Sequence, residues 1–216
     1  MCIRDRHACG ELEVRRLDGG VAYLRFSGFL TPIVDAVLQA IQDVHDAPAL
    51  IIDLRGNPGG EFPVRKAIAS QLVGEPKEFM YYQYRKRATT AYLDTVPNPY
   101  PGLVVILVNE LSMSSSEEFS GSLQALDRAT IIGTQTPGSC LVMTIEILPS
   151  DMILMYPYGQ PRTVEGRILE DNGVAPDIEV ALDRAALLRG RDTQLEAALS
   201  FLREEMTSGT SGSGGQ

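Results

Sequence analysis

Cysteine, histidine and lysine are scarce in this chain, and long hydrophobic runs are missing. Its 216 residues include three cysteines, Cys2, Cys9 and Cys140, and two histidines, His7 and His45. Lysine occurs only at Lys66, Lys77 and Lys86. An odd, sparse set of cysteines does not describe a disulfide framework, and without a Cys-x-x-Cys pair or a Cys/His cluster nothing points to a metal site. No run approaches eighteen apolar residues, so no segment reads as a membrane span. With 19 Lys and Arg against 28 Asp and Glu, a net charge of -9, the basic surplus that phosphate contacts require is absent. Neither a nucleic-acid partner nor a cofactor is therefore expected.

What is present suits one sizeable globular domain: 44% hydrophobic and 22% charged residues. The ends read differently. MCIRDR at 1–6 matches what a transposon adapter used in sequencing libraries would encode in one frame, so it is expected to be an artefact and is set aside from fold reasoning. The domain is then expected over 7–206, truncated at its N-terminus. Residues 207–216, rich in Gly and Ser, are expected to form a flexible tail.

GGVAYLRFSGF carries β-branched and aromatic residues in alternation and predicts a strand at about 21–27. Thr31 as N-cap and Pro32 at the first helical position open an amphipathic helix with Ile33, Val34, Val37, Leu38, Ile41 and Val44 at helical spacing. ALIIDLRG (49–56) and LVVILVN (103–109) read as buried strands. VRKAIASQLVG (64–74) reads as a helix stopped by Gly74. Residues 78–93 look β-rich, a helix is expected over about 115–126, a strand over 129–133, and short strands within 141–165. Thr193 and Glu196 have capping-box spacing before a stripe of Leu195, Leu199 and Leu202. Strands alternating with helices imply an α/β fold with a mainly parallel sheet, covering helices and a β-rich insertion.

Two strand ends carry unusual residues. DLRGNPGG places Asp53, Arg55, Asn57, Gly59 and Gly60 beyond a buried strand, where ligands gather in such folds. Paired glycines let the backbone approach a substrate closely, and their N–H groups can stabilise an oxyanion. The plainer alternative is a structural turn with an Asp53–Arg55 ion pair. In NELSMSSSEEFSG, a serine at the start of a helix meets free N–H groups and a partial positive charge. There the plainer alternative is an N-cap, with Glu117 and Glu118 matched to the dipole.

In this order, DLRGNPGG, VVILVN–SMSSSEEF–RATIIGTQTPG and EDNGVAPDIEV resemble the catalytic domain of the C-terminal (tail-specific) processing proteases, over roughly 20–182. The wider family includes the tricorn core protease and the interphotoreceptor retinoid-binding protein repeats. The resemblance implies a ClpP/crotonase-like core and a serine peptidase acting on peptide or protein substrates. It leans towards an extracytoplasmic setting. The family's Ser-x-Ser-x-x-Glu falls on Ser112 to Glu117, which implies Ser114 as nucleophile. The oxyanion hole would then be the N–H of Ser115 with that of Gly59 or Gly60.

The resemblance breaks at the base. Where the processing proteases carry a lysine, this chain has Ser139, which excludes a Ser–Lys dyad at that position. Lys66, Lys77 and Lys86 read as solvated surface residues. The tricorn-like branch uses an upstream histidine, a glutamate and a further serine, and Glu170 before DNGVAPD matches that glutamate's neighbourhood. The upstream histidine would fall before residue 1, so the chain is expected to be a weakly active fragment. His45 reads as a helix-terminal residue. Phe62, Leu111 and Met143 are expected as apolar walls. A non-catalytic peptide- or ligand-binding module on the same fold is the alternative, and an acyl-CoA enzyme of the crotonase type is a third.

Overall fold

The computed structural model describes residues 11–149 and 151–211. The adapter-like hexapeptide, His7, Cys2 and Cys9 lie outside them. In chain order the strands are β1 (Leu12–Arg16), β2 (Ala22–Phe26), β3 (Ala49–Asp53), β4 (Glu78–Tyr84), β5 (Ala88–Tyr92), β6 (Leu103–Val108), β7 (Thr130–Gly133), β8 (Val142–Ile147), β9 (Ile153–Arg162) and β10 (Ile178–Glu179). The helices are α1 (Val34–Asp43), α2 (Phe62–Val73), α3 (Ser115–Ala125), α4 (Arg184–Leu188) and α5 (Thr193–Ser211).

The main sheet has the order β1-β2-β3-β6-β7-β10. It is parallel from β2 to β10, with β1 antiparallel at one edge. Its central strands bury both faces, which is why they read as unbroken apolar runs rather than alternations. Leu50, Ile52, Val104 and Ile106 pack under α1, α2 and α3. Ala49, Ile51, Val105 and Leu107 face Ala198 and Leu202 of α5. The predicted parallel core with covering helices is therefore present. The β-rich part is a second, antiparallel sheet of order β5-β4-β9-β8.

Several local expectations change. Thr31 caps nothing: Thr31–Ile33 form a short 3-10 turn, and α1 begins at Val34. The Thr31 hydroxyl instead donates to Glu61 Oε2 at 2.5 Å. The second helix starts earlier, at Phe62 with Pro63 in its first turn, and ends as expected at Gly74 with φ 83°. At the last helix Asp192, not Thr193, is the cap, accepting from Leu195 N at 3.1 Å, while the Thr193 hydroxyl turns away to Ala181 O. That helix continues to Ser211, into the stretch expected to be flexible.

Because β3, β6 and β7 run parallel and in register, Asp53 beside Leu107 and Val108 beside Gly133, their C-terminal ends form one edge. The loops that leave this edge build the site. His45 belongs to the opposite edge: it precedes β3, and its Nε2 lies 3.0 Å from Pro99 O in the loop before β6.

Candidate active site

The two unusual strand ends meet. Met113 N donates to Asn57 O at 3.1 Å, and Ser116 Oγ donates to the same carbonyl at 2.9 Å. Ser112 Oγ donates to Leu54 O at 2.8 Å. Gly59, at φ 98°, packs so tightly that an added Cβ would lie 2.8 Å from Ser114 Cβ and 2.7 Å from Ser115 N. Gly60, at φ 143°, has equally little room: a Cβ there would meet Phe29 O at 2.3 Å. Only glycine fits at either position.

The serine cluster divides its work. The hydroxyls of Ser112, Ser115, Ser116 and Ser120 donate to the carbonyls of Leu54, Gly60, Asn57 and Ser116. Ser114 is different. It is half-buried, lines a cleft, and has φ 53°, a left-handed backbone seldom adopted by residues with a Cβ. It directly precedes α3, so its side chain sits at the positive end of that helix.

Glu117, given only a first-turn dipole role in the sequence, is the hub of the site. Its fully buried carboxylate receives Ser114 N at 3.1 Å, Ser139 N at 2.8 Å, Gly138 N at 2.6 Å and Thr136 Oγ1 at 2.7 Å. Ser139 is brought to Ser114, whose N–H donates to Ser139 O at 3.0 Å. Glu170 is brought to the same loop but not onto Ser114. Its Oε2 accepts from Cys140 N at 2.8 Å and Leu141 N at 3.0 Å. Cys140 offers no rival nucleophile, since burial pushes its thiol well above the ordinary range and the nearby Glu117 charge adds to this.

Of the expected oxyanion donors, Gly59 is already engaged: its N–H donates to Asn57 Oδ1 at 2.9 Å. The amides of Gly60 and Ser115 make no such bond among the described residues. Asp53 and Arg55 are structural, as the plainer reading had it. Arg55 bonds the buried Asp53 through Nη2 at 2.6 Å and Asp192 at 2.8 Å, joining the sheet edge to α5.

The cleft beside Ser114 has a volume of about 760 Å³. Phe62 and Met143 line it as expected, whereas Leu111 points to solvent at 54% exposure. Tyr82, Tyr84 and Tyr158 stack along one wall, with ring centroids 6.4 and 5.5 Å apart. Lys66 also lines the cleft, against its reading as a solvated residue, and its Nζ bonds Asp94 at 2.7 Å. Sequence reasoning missed the buried Arg65–Glu118 pair on the cleft floor, Nη2 to Oε2 at 2.8 Å. An arginine on an apolar helix face and a second glutamate after the serines were its only signals.

No group of three or more His, Cys, Asp or Glu side chains among the described residues could hold a metal ion. No described helix is long and apolar enough to cross a membrane.

Comparison with known proteins agrees with this architecture. A CtpA-like serine protease of Staphylococcus aureus (strain N315) is 29% identical over 148 residues, covering 68% of this chain and 29% of the relative. A carboxy-terminal-processing protease of Bartonella bacilliformis is 29% identical over 190 residues, 83% of this chain and 43% of its own. The chain thus spans less than half the length of these curated relatives. Among solved structures, a peptidase from Parabacteroides merdae superposes with a TM-score of 0.77 at 25% identity, over 90% of this chain and 65% of that one. The tricorn protease shares the fold, with a TM-score of 0.60 over 88% of this chain and 18% of its own. The profile of peptidase family S41 matches residues 20–180, and the chain belongs to that family.

Proposed function

We propose that this domain hydrolyses peptide bonds by acyl transfer through Ser114. The observation that carries the reading is the contact of the Gly59–Gly60 turn with Ser114 and Ser115. It sets a hydroxyl at a helix start beside two unengaged backbone amides, those of Gly60 and Ser115. In this scheme Ser114 Oγ attacks a peptide carbonyl, and the oxygen that gains charge is held by those two N–H groups; the C–N bond then breaks, the amine leaves with the proton given up by Ser114, and water releases the acyl group as a carboxylate. Glu117 fixes the backbone of Ser114 and Ser139 together, and Glu170 fixes the loop that follows. These two carboxylates position the reacting groups.

The proton of Ser114 needs an acceptor. No lysine or histidine among the described residues bonds its hydroxyl: His45 bonds Pro99 O, Lys66 bonds Asp94, and Lys77 bonds Glu75. Peptide turnover by this chain is therefore expected to be weak, with the base supplied from outside these residues. The same observation favours a second reading, a peptide-binding module that performs no hydrolysis. A fluorophosphonate probe separates the two. Covalent labelling localised to Ser114 by mass spectrometry, and lost in Ser114→Ala, supports the peptidase. Labelling that is unchanged in Ser114→Ala, or absent even when imidazole is added as an external base, overturns it in favour of the binder.

A further inference from the structure

The Arg65–Glu118 pair has no role in the scheme above, yet it lies directly behind it. Arg65 on α2 is 2% exposed and Glu118 on α3 is 5% exposed. Arg65 Nη2 bonds Glu118 Oε2 and the Tyr82 hydroxyl, and Tyr82 in turn donates to Glu118 Oε2 at 2.8 Å. Burial pushes the Glu118 carboxyl above its ordinary range, against the pull of Arg65. A charged pair kept this dry is a weak device for stability, because desolvation consumes most of its attraction. Arg65 Nε adds to the cost, being buried without an acceptor.

Its other end reaches the reacting backbone. Arg65 Nη1 donates to Ser115 Oγ at 2.9 Å, and Ser115 Oγ donates to Gly60 O at 2.7 Å. One hydroxyl therefore joins the two residues whose amides are left unengaged, with the guanidinium fixing its direction. The geometry points to Arg65 as a positioning residue for the oxyanion hole, holding the Ser115 and Gly60 N–H groups at a set separation through the Ser115 hydroxyl. Tyr82 and Glu118 hold Arg65 in turn. The inference rests on Ser114 as nucleophile and adds which side chains tune its oxyanion donors.

Removing Arg65 alone would strand a buried carboxylate, so the test replaces the cluster whole: Arg65→Met/Tyr82→Phe/Glu118→Leu in the 216-residue chain. Exchange of a buried ion pair for apolar side chains of similar volume often leaves stability equal or higher. Saturation kinetics of fluorophosphonate labelling yield the inactivation rate and the probe affinity separately, and a thermal melt reports folding. The phosphoryl oxygen of the probe gains its charge in the same hole. The inactivation rate is expected to fall about 10- to 100-fold, somewhat less than the ~100- to 1,000-fold for losing a donor outright. Affinity is expected to change as well, because all three side chains line the cleft, so the rate carries the reading. Ser115→Ala, which removes only the connecting hydroxyl, should show the same fall in rate with affinity within about twofold, and carries the test if the triple variant does not fold. A well-folded variant labelled at the wild-type rate overturns the inference, as does a loss confined to affinity. A wild-type chain that is never labelled at Ser114 is a separate result, which removes the nucleophile and this role together.

Discussion

Glu117→Gln is the sharpest test of how the site is held. The carboxylate accepts four donors, two on each oxygen: Thr136 Oγ1 and Gly138 N on Oε1, Ser139 N and Ser114 N on Oε2. An amide keeps the shape but turns one oxygen into an NH2 that faces two donors. Whichever way it lies, two charge-assisted bonds are lost, each contributing about 1.5–3 kcal/mol, or about 3–6 kcal/mol together. If Glu117 served only the helix dipole, the loss would be about 0.3–1 kcal/mol. For a chain of this length each kcal/mol moves the melting midpoint by about 2–4 °C, so the hub predicts a fall of at least about 6 °C. Calorimetry and urea titration at neutral pH measure it directly. A midpoint within about 3 °C of wild type would show that the four contacts carry no more than a first-turn glutamate does.

Three further outcomes follow from the same geometry. Gly59→Ala should destabilise by more than about 1–3 kcal/mol and abolish labelling of Ser114, since its Cβ has no room against Ser114 and Ser115; urea midpoints and probe labelling report the two losses. Ser114→Gly relieves a left-handed residue, and should raise stability by about 1 kcal/mol while ending labelling; a lower midpoint would contradict the strain. Asp192→Asn preserves the helix cap but removes the charge facing Arg55. Burial alone would raise the Asp192 carboxyl, but the Arg55 hydrogen bonds outweigh it and hold the group below its ordinary value. Its charge therefore stabilises above the unfolded pKa of about 3.9, and that contribution is lost as pH falls through the lower folded value. Melts at pH 7 should separate the two proteins, and melts near pH 2 should bring them together.

The central strands were legible because burial on both faces leaves an apolar run of fixed length, as in LVVILV and ALIID. The position of Ser114 was legible because a serine cluster after such a run has few places to go. The edge strand β1 was not anticipated. Its LEVRR lies mostly exposed against β2, and an edge strand has one neighbour, so charged residues replace the usual alternation. The Asp192 cap was hidden by the equally plausible Thr193 beside it. The spacing of Ser114 and Glu117 could have revealed their capping box, but the contacts of Glu117 with Thr136, Gly138 and Ser139 and of Arg65 with Ser115 and Glu118 join distant parts of the chain, and spacing does not encode such partners. The same applies to Gly59: composition marked it as special, but only the packing shows that its amide is engaged by Asn57 whereas that of Gly60 is not, among the described residues.

The bridge made by Arg55 bears on where this polypeptide tolerates shortening. The last helix packs on one face of the central layer through Ala198 and Leu202, and its N-cap Asp192 and first-turn Gln194 supply acceptors to a guanidinium that also bonds the sealed carboxylate of Asp53. Trimming from the carboxyl end should first cost little, then fail abruptly once Leu202 is removed. The stripe of Leu195, Leu199 and Leu202 that contributes to this cover ends ahead of the Gly/Ser-rich residues from 207 onward.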